Sequence, residues 1–171
     1  MKFASAAALL LLPLCTAAPS PSFFDTQSPI KVEHSSLPVH GNNPLTYCND
    51  PSNYILKIEN VDLSPNPPQA GQTLVIKAKG KLNETIERGA TVRLTVKYGL
   101  ITILNQQVNL CDEIKQVGLS CPLEKGEQTL TKSVDLPREI PPGKYSVRAD
   151  VYDKNEKQVT CLEAENIEFK T

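Results

Sequence analysis

The 171-residue chain has no tryptophan, a single methionine at position 1 and only two histidines, His34 and His40, both in its first quarter. The remaining three quarters therefore hold no imidazole, which excludes Ser-His-Asp and Cys-His catalytic sites there. Aromatic residues are scarce, with four Phe and five Tyr, and a glycosidase would want aromatic platforms for its sugar rings. No phosphate-cradling P-loop and no G-x-G-x-x-G pattern occurs. Neither sign of charge dominates: 18 Lys and Arg face 19 Asp and Glu, for a net charge of −1. The charges are scattered, so no basic face exists for nucleic acid. Asp112-Glu113 and Glu163/Glu165 are carboxylates close in sequence, and such neighbours on a surface are ordinarily just solvated. An enzyme is not expected, and neither is a cofactor or a metal.

What is present begins with an N-terminal address. Lys2 precedes an apolar run from Ala4 to Leu14, and small residues follow at Ala17 and Ala18. That layout reads as a signal peptide over residues 1–18, cleaved after Ala17 or Ala18. The run is short of the roughly 20 apolar residues that span a bilayer, and no later stretch is longer. A soluble mature protein is expected. Residues 19–40, punctuated by Pro19, Pro21, Pro29 and Pro38 among serines, read as a flexible leader or propeptide.

Cys48, Cys111, Cys121 and Cys161 remain after the signal peptide. Four cysteines in a secreted chain imply two disulfides and allow three connectivities. Cys111 and Cys121 flank a loop-like segment and form the natural pair, leaving Cys48 for Cys161. The competing reading, a zinc site, lacks a C-x-x-C and a nearby histidine. Asn83-Glu84-Thr85 is an N-glycosylation sequon and marks a surface turn that can carry glycan at Asn83.

From residue 41 to 171 the hydrophobic period is two. Val92, Leu94, Val96 and Tyr98 alternate with Thr91, Arg93, Thr95 and Lys97; Tyr145, Val147, Ala149 and Val151 alternate with Ser146, Arg148 and Asp150. Such alternation is that of half-buried strands. It predicts about seven strands near 54–63, 72–82, 90–98, 100–109, 128–136, 144–153 and 158–169, and no helix. The expected fold is all-β, an immunoglobulin-like two-sheet sandwich, with a closed barrel as the alternative. Two segments carry more aliphatic side chains than one face of a strand needs. They are Leu100-Ile101-Thr102-Ile103-Leu104, continued by Val108, and the stretch containing Val117, Leu119 and Leu123. They read either as a central strand plus a packed loop, or as the mouth of an apolar pocket.

The cysteine contexts resemble those of the ML lipid-recognition family. The matching pieces are Tyr47-Cys48-Asn49-Asp50, Leu110-Cys111, Ser120-Cys121-Pro122-Leu123 followed by Lys125-Gly126, and Thr160-Cys161-Leu162-Glu163. Together they span residues 41–171. The nearest relatives by this resemblance are Niemann–Pick type C2-like sterol carriers and phosphatidylglycerol/phosphatidylinositol transfer proteins. Family members often carry a further disulfide after the first strand. Here Ser64-Pro65-Asn66-Pro67-Pro68-Gln69 has no cysteine, which favours the phospholipid branch.

The resemblance implies sheets splayed around a lipid tail or sterol, and a soluble, monomeric carrier between membranes. Its mouth would be formed by Leu100, Ile101, Ile103, Leu104, Val108, Val117, Leu119 and Leu123, and its wall by Leu130, Val134, Tyr145 and Val147. Lys115 and Lys125 would meet anionic headgroups or a membrane surface during transient contact. The expected location is the secretory pathway, ending in a vacuole- or lysosome-like lumen or outside the cell. The competing reading is a secreted recognition or adhesion module with a filled interior and no lipid cavity.

Overall fold

The computed structural model describes residues 37–170. The signal-peptide segment and all but the last four residues of the leader lie outside the described residues. Nine strands form two antiparallel sheets. β1 (Leu37–Pro38), β2 (Thr46–Tyr47), β5 (Thr91–Tyr98), β6 (Ile101–Asn109), β8 (Gly143–Tyr152) and β9 (Gln158–Phe169) build a six-stranded sheet in the order β1-β2-β9-β8-β5-β6. β3 (Leu56–Ser64), β4 (Thr73–Leu82) and β7 (Gly126–Asp135) build a three-stranded sheet in the order β3-β4-β7. This is an immunoglobulin-like sandwich. Both sheets keep free edges, which excludes the closed barrel.

Register follows the alternation. Val92, Leu94 and Val96 of β5 pair with Val151, Ala149 and Val147 of β8, so all six point to one face. Leu74, Ile76 and Ala78 of β4 stand opposite Val134, Lys132 and Leu130 of β7. Because side chains repeat every second residue, one slipped position would turn each apolar row outward. Partial burial of these rows favours this register.

Two differences from the sequence reading stand out. Residues 37–40, assigned there to the leader, belong to the fold. β1 pairs with β2, and Val39 is buried against Val61 and Leu63. The segment expected as a loop after Cys111 opens as a short helix, α1 (Leu110–Lys115). Asn109 caps it by accepting from the Cys111 amide at 2.9 Å, and Cys111 and Ile114 supply its buried side.

The structure pairs Cys48 with Cys161 and Cys111 with Cys121. Among the described residues, the group Cys48, Asp150 and Cys161 is close enough to suggest a metal site. Its sulfurs are bonded to each other and offer no thiolate.

Two buried clusters close the sandwich on two sides. One gathers Ile55, Leu82, Ile86, Ala90 and Val159, where β3, β5 and β9 begin and β4 and β8 end. The other joins Val39, Val61 and Leu63 to Tyr47, Ile58 and Leu162 along the β2–β9 side. Ile86 is 1% exposed, and its amide and carbonyl both bond to Leu123 at 2.9 Å. Ile86→Ala should lower the unfolding free energy by about 3 kcal/mol, read from the urea midpoint. A change below about 1 kcal/mol would mean that this end does not act as the plug.

Candidate functional site

The strands of a filled sandwich interlock about 10 Å apart and bury their inward rows. The inward rows here are not buried where β5, β6 and β8 face β4 and β7. Leu94, Val96, Val147, Leu130 and Val134 are only half-buried, and Leu104 is 39% exposed. Each sheet thus keeps a half-exposed aliphatic face, and the space between them, bordered by the edge strands β6 and β7, is a candidate apolar hollow.

The far end of the hollow is aromatic. Tyr98 and Tyr145 pack in a tilted pair with ring centroids 5.1 Å apart, and Phe169 meets Tyr145 edge-on at 5.3 Å. The Tyr145 hydroxyl donates to Pro141 O at 2.9 Å, and that of Tyr98 to Pro142 O at 3.1 Å. Burial pushes the Tyr145 phenol above its ordinary pKa, with a smaller push from Tyr98. Tyr145 stays a neutral, apolar-bodied wall with its polar tip already satisfied.

Beyond that end, the β5–β6 hairpin projects into solvent. Gly99 takes φ of +55° at its tip, where a side chain would be strained, and its amide donates to Lys144 O at 2.9 Å. Leu100 is fully exposed, Ile101 is 66% exposed and Ile103 is 56% exposed. Ile103 is left without a partner by a bulge, since Val96 pairs with Leu104 and Lys97 pairs with Thr102.

The residues proposed as one mouth do not converge. Leu100, Ile101, Ile103 and Leu104 sit at the hairpin end of β6. Leu123 packs on the closing cluster with Leu110, and Val117 and Leu119 belong to the α1 segment at the other end. β6 itself separates them by roughly 26 Å at about 3.3 Å per residue. Val108 lies on the inner face opposite Val92, next to α1. Lys115 is bound to Asp112 at 2.8 Å, and Lys125 precedes β7 beside Thr85, both far from the hairpin tip. Asn83 is exposed in the turn after β4.

Sequence reasoning missed Lys132. It shares the inner row of β7 with Leu130 and Val134, facing Ile76. Its Nζ donates to Glu113 Oε2 of α1 at 3.0 Å, with the two side chains 32% and 37% exposed. A lysine at the parity of an apolar row was the available signal. The alternation of Leu130, Lys132 and Val134 already contains it.

Two further clefts lie away from these inner rows. One of about 740 Å³ runs over the outer face of the six-stranded sheet, lined by Thr95, Lys97, Arg148, Asp150, Glu163 and their neighbours. There Arg148 donates twice to Asp150, at 2.9 and 3.0 Å. Those bonds hold the guanidinium pKa above its ordinary value. A second cleft of about 600 Å³ lies between the proline-rich 66–70 loop and residues 165–170.

Residues 42–167 match the family model described as the ML domain. The chain is 61% identical over 174 residues to a protein of Aspergillus fumigatus named phosphatidylglycerol/phosphatidylinositol transfer protein, covering 99% of this chain and 98% of that one. A Niemann-Pick type C2 protein from the Japanese carpenter ant superposes with a TM-score of 0.53 at 13% identity, over 74% of this chain and 98% of the other. Chicken MD-1, solved in complex with lipid IVa, gives 0.50 at 19% identity, over 71% of this chain and 85% of the other. At those identities the two structures speak to fold alone, and they share the two-sheet architecture.

Proposed function

From the premise that this chain belongs to the ML domain family, we propose that it is a non-enzymatic carrier that moves a phospholipid, phosphatidylglycerol or phosphatidylinositol, between membranes. The observation that carries this reading is the pair of opposed aliphatic faces left half-exposed between the sheets. Their apolar surface stays wet unless something covers it, and hydrocarbon does so at about 0.8 kcal/mol per CH₂. A recognition module with a meshed interior would leave no such surface. The lining we propose is Leu94, Val96, Leu104, Leu130, Val134 and Val147, with Tyr145 at its end. The relatives' name supplies the headgroup class.

Two disulfides fit an oxidising compartment. With residues 1–18 as signal peptide, the secretory pathway is the proposed route. The working form is proposed to be a monomer. The carrying is assigned to the domain matched over residues 42–167.

Native mass spectrometry of the purified protein, incubated with vesicles containing phosphatidylglycerol, phosphatidylinositol and a sterol, tests the reading. One phospholipid per chain is expected. A protein that stays empty with every vesicle overturns it.

The hairpin tip is proposed to make the membrane contact. Leu100 and Ile101 form an exposed apolar point with Lys97 and Lys144 beside it, suited to an anionic bilayer surface. Leu100→Ser with Ile101→Ser should slow vesicle-to-vesicle transfer about fivefold or more, through weaker interfacial partitioning. Lipid uptake from detergent micelles should be unchanged. Equal losses in both assays would place these residues in the hollow instead.

A further inference from the structure

Resting on the carrier reading above, we infer that Lys132 is the phosphate-binding residue of the hollow, and that Glu113 occupies its ammonium group until a lipid phosphodiester displaces it. The placement of Lys132 is the first ground. On β4, β5, β6, β7 and β8, pairing directs Leu, Ile, Val, Ala, Gly, Tyr and Gln side chains to the inner face, and Lys132 is the one charged residue among them. It is flanked by Leu130 and Val134 on an edge strand. A charge held at such a place forfeits hydration, and a fold that only needed packing would be served as well by an aliphatic residue.

The partner is the second ground. Glu113 does not come from a neighbouring strand. It comes from α1, which follows directly on β6, the edge of the opposite sheet. The 3.0 Å ion pair therefore reaches from one free edge to the other, across the side on which the hollow opens. The carboxylate is presented from a firm support, because Cys111 is bonded to Cys121 and Ile114 is buried. Its side chain remains 37% exposed, so it can swing into solvent. The other lysine pairs differ. Lys79 with Glu59 lies on the outward row of the three-stranded sheet, and Lys115 with Asp112 lies wholly on α1.

The chemistry is the third ground. An ammonium group is a compact charge with three donors and no required fork, and it accepts a carboxylate or a phosphodiester oxygen equally well. Exchanging Glu113 for a phosphodiester keeps the charge count at Lys132 and frees a carboxylate that water can solvate. It also sets geometry. The phosphate stops at the β7 edge while the acyl chains enter between Leu130, Val134 and Val96. A neutral sterol presents no anion and leaves the Lys132–Glu113 pair closed.

The experiment compares Lys132→Gln, Lys132→Arg and Glu113→Gln in transfer of phosphatidylglycerol and of diacylglycerol with the same chains, with folding checked by circular dichroism. For Lys132→Gln, phosphatidylglycerol transfer should fall about tenfold or more, as for loss of a charge-assisted bond, while diacylglycerol transfer holds. Lys132→Arg should restore most of it. Glu113→Gln should raise phosphatidylglycerol transfer severalfold, because the competitor is gone. If the pair were only a brace, Lys132→Gln and Glu113→Gln would shift both lipids in the same direction, and that result overturns the inference. Inorganic phosphate forms the third arm. Inhibition of phosphatidylglycerol transfer at low millimolar phosphate would identify a free-anion site and also overturn it. A wild-type protein that carries neither lipid defeats the carrier reading itself, whereas carriage of both lipids unaffected by Lys132→Gln defeats only this inference.

Discussion

Val96→Asp is expected to abolish phospholipid transfer, by about a hundredfold or more, while the protein still folds. Val96 sits on the inner face of the six-stranded sheet, with Val147 on one side and Leu104 on the other. It is half-buried without ligand, so a carboxylate there keeps part of its hydration in the empty protein. A bound acyl chain would strip that hydration, and an unpaired charge against hydrocarbon costs several kcal/mol. The loss falls on binding rather than on folding. The control lies one residue away. Thr95→Asp introduces the same charge into the same strand but on the opposite face, across from Arg148. It should leave transfer within about twofold, as surface substitutions ordinarily do. A vesicle assay with fluorescent phosphatidylglycerol reads both variants. Equal losses would show that strand disruption, not the hollow, is being measured.

The second large effect concerns stability. Replacing Cys48 and Cys161 together by serine should cost about 5 kcal/mol on the chain-entropy model, against about 3 kcal/mol for Cys111 and Cys121. The difference follows from the span: 113 residues separate the first pair and 10 the second. A domain with total stability of roughly 5–15 kcal/mol would be left marginal or unfolded by the first loss. Urea midpoints of the two double variants should fall in that order. The reverse order would mean that the short loop's contacts with the closing cluster outweigh chain entropy. The smaller loss should carry a functional signature. Without Cys111–Cys121, α1 and its Glu113 are less firmly presented, and selectivity for phospholipid over diacylglycerol should shift even where the fold survives.

The strands were legible because burial on one face writes a two-residue period into the chain. Thr91–Tyr98 and the row Tyr145, Val147, Ala149 and Val151 are plain instances, and β5 and β8 lie where that period places them. Elements without a period were not legible. β1 and β2 have two residues each and exist only through pairing with distant partners, Leu37 with Tyr47 and Thr46 with Glu163. The serines and prolines around Leu37 looked like leader because Val39 alone is buried there. α1 is too short to show a helical stripe, and its cap, Asn109, reads equally as a turn residue.

The candidate site was partly legible for a related reason. Sequence order brought Leu100–Leu104 and Val117–Leu123 within about two dozen positions of each other. The extended strand between them consumes its length in one direction and carries the two groups to opposite ends. Residues on different sheets, such as Val96 and Leu130, meet only through topology. Lys132 shows the opposite case, where the information was present as an exception. A lysine in an aliphatic row is more informative than the row itself, because burial alone would not select it.

The bulge at Ile103 has a consequence for self-association. β6 ends its sheet, so one side of its backbone presents free amides and carbonyls to any passing strand, including β6 of another molecule. An uninterrupted nine-residue ribbon would be a ready template for fibril-like stacking. The extra residue at Ile103 divides it into two short runs of mismatched pleat, Ile101–Thr102 and Leu104–Asn109, so that an incoming strand cannot zip along the full length. The break makes that border a poor template for a second copy of the same strand.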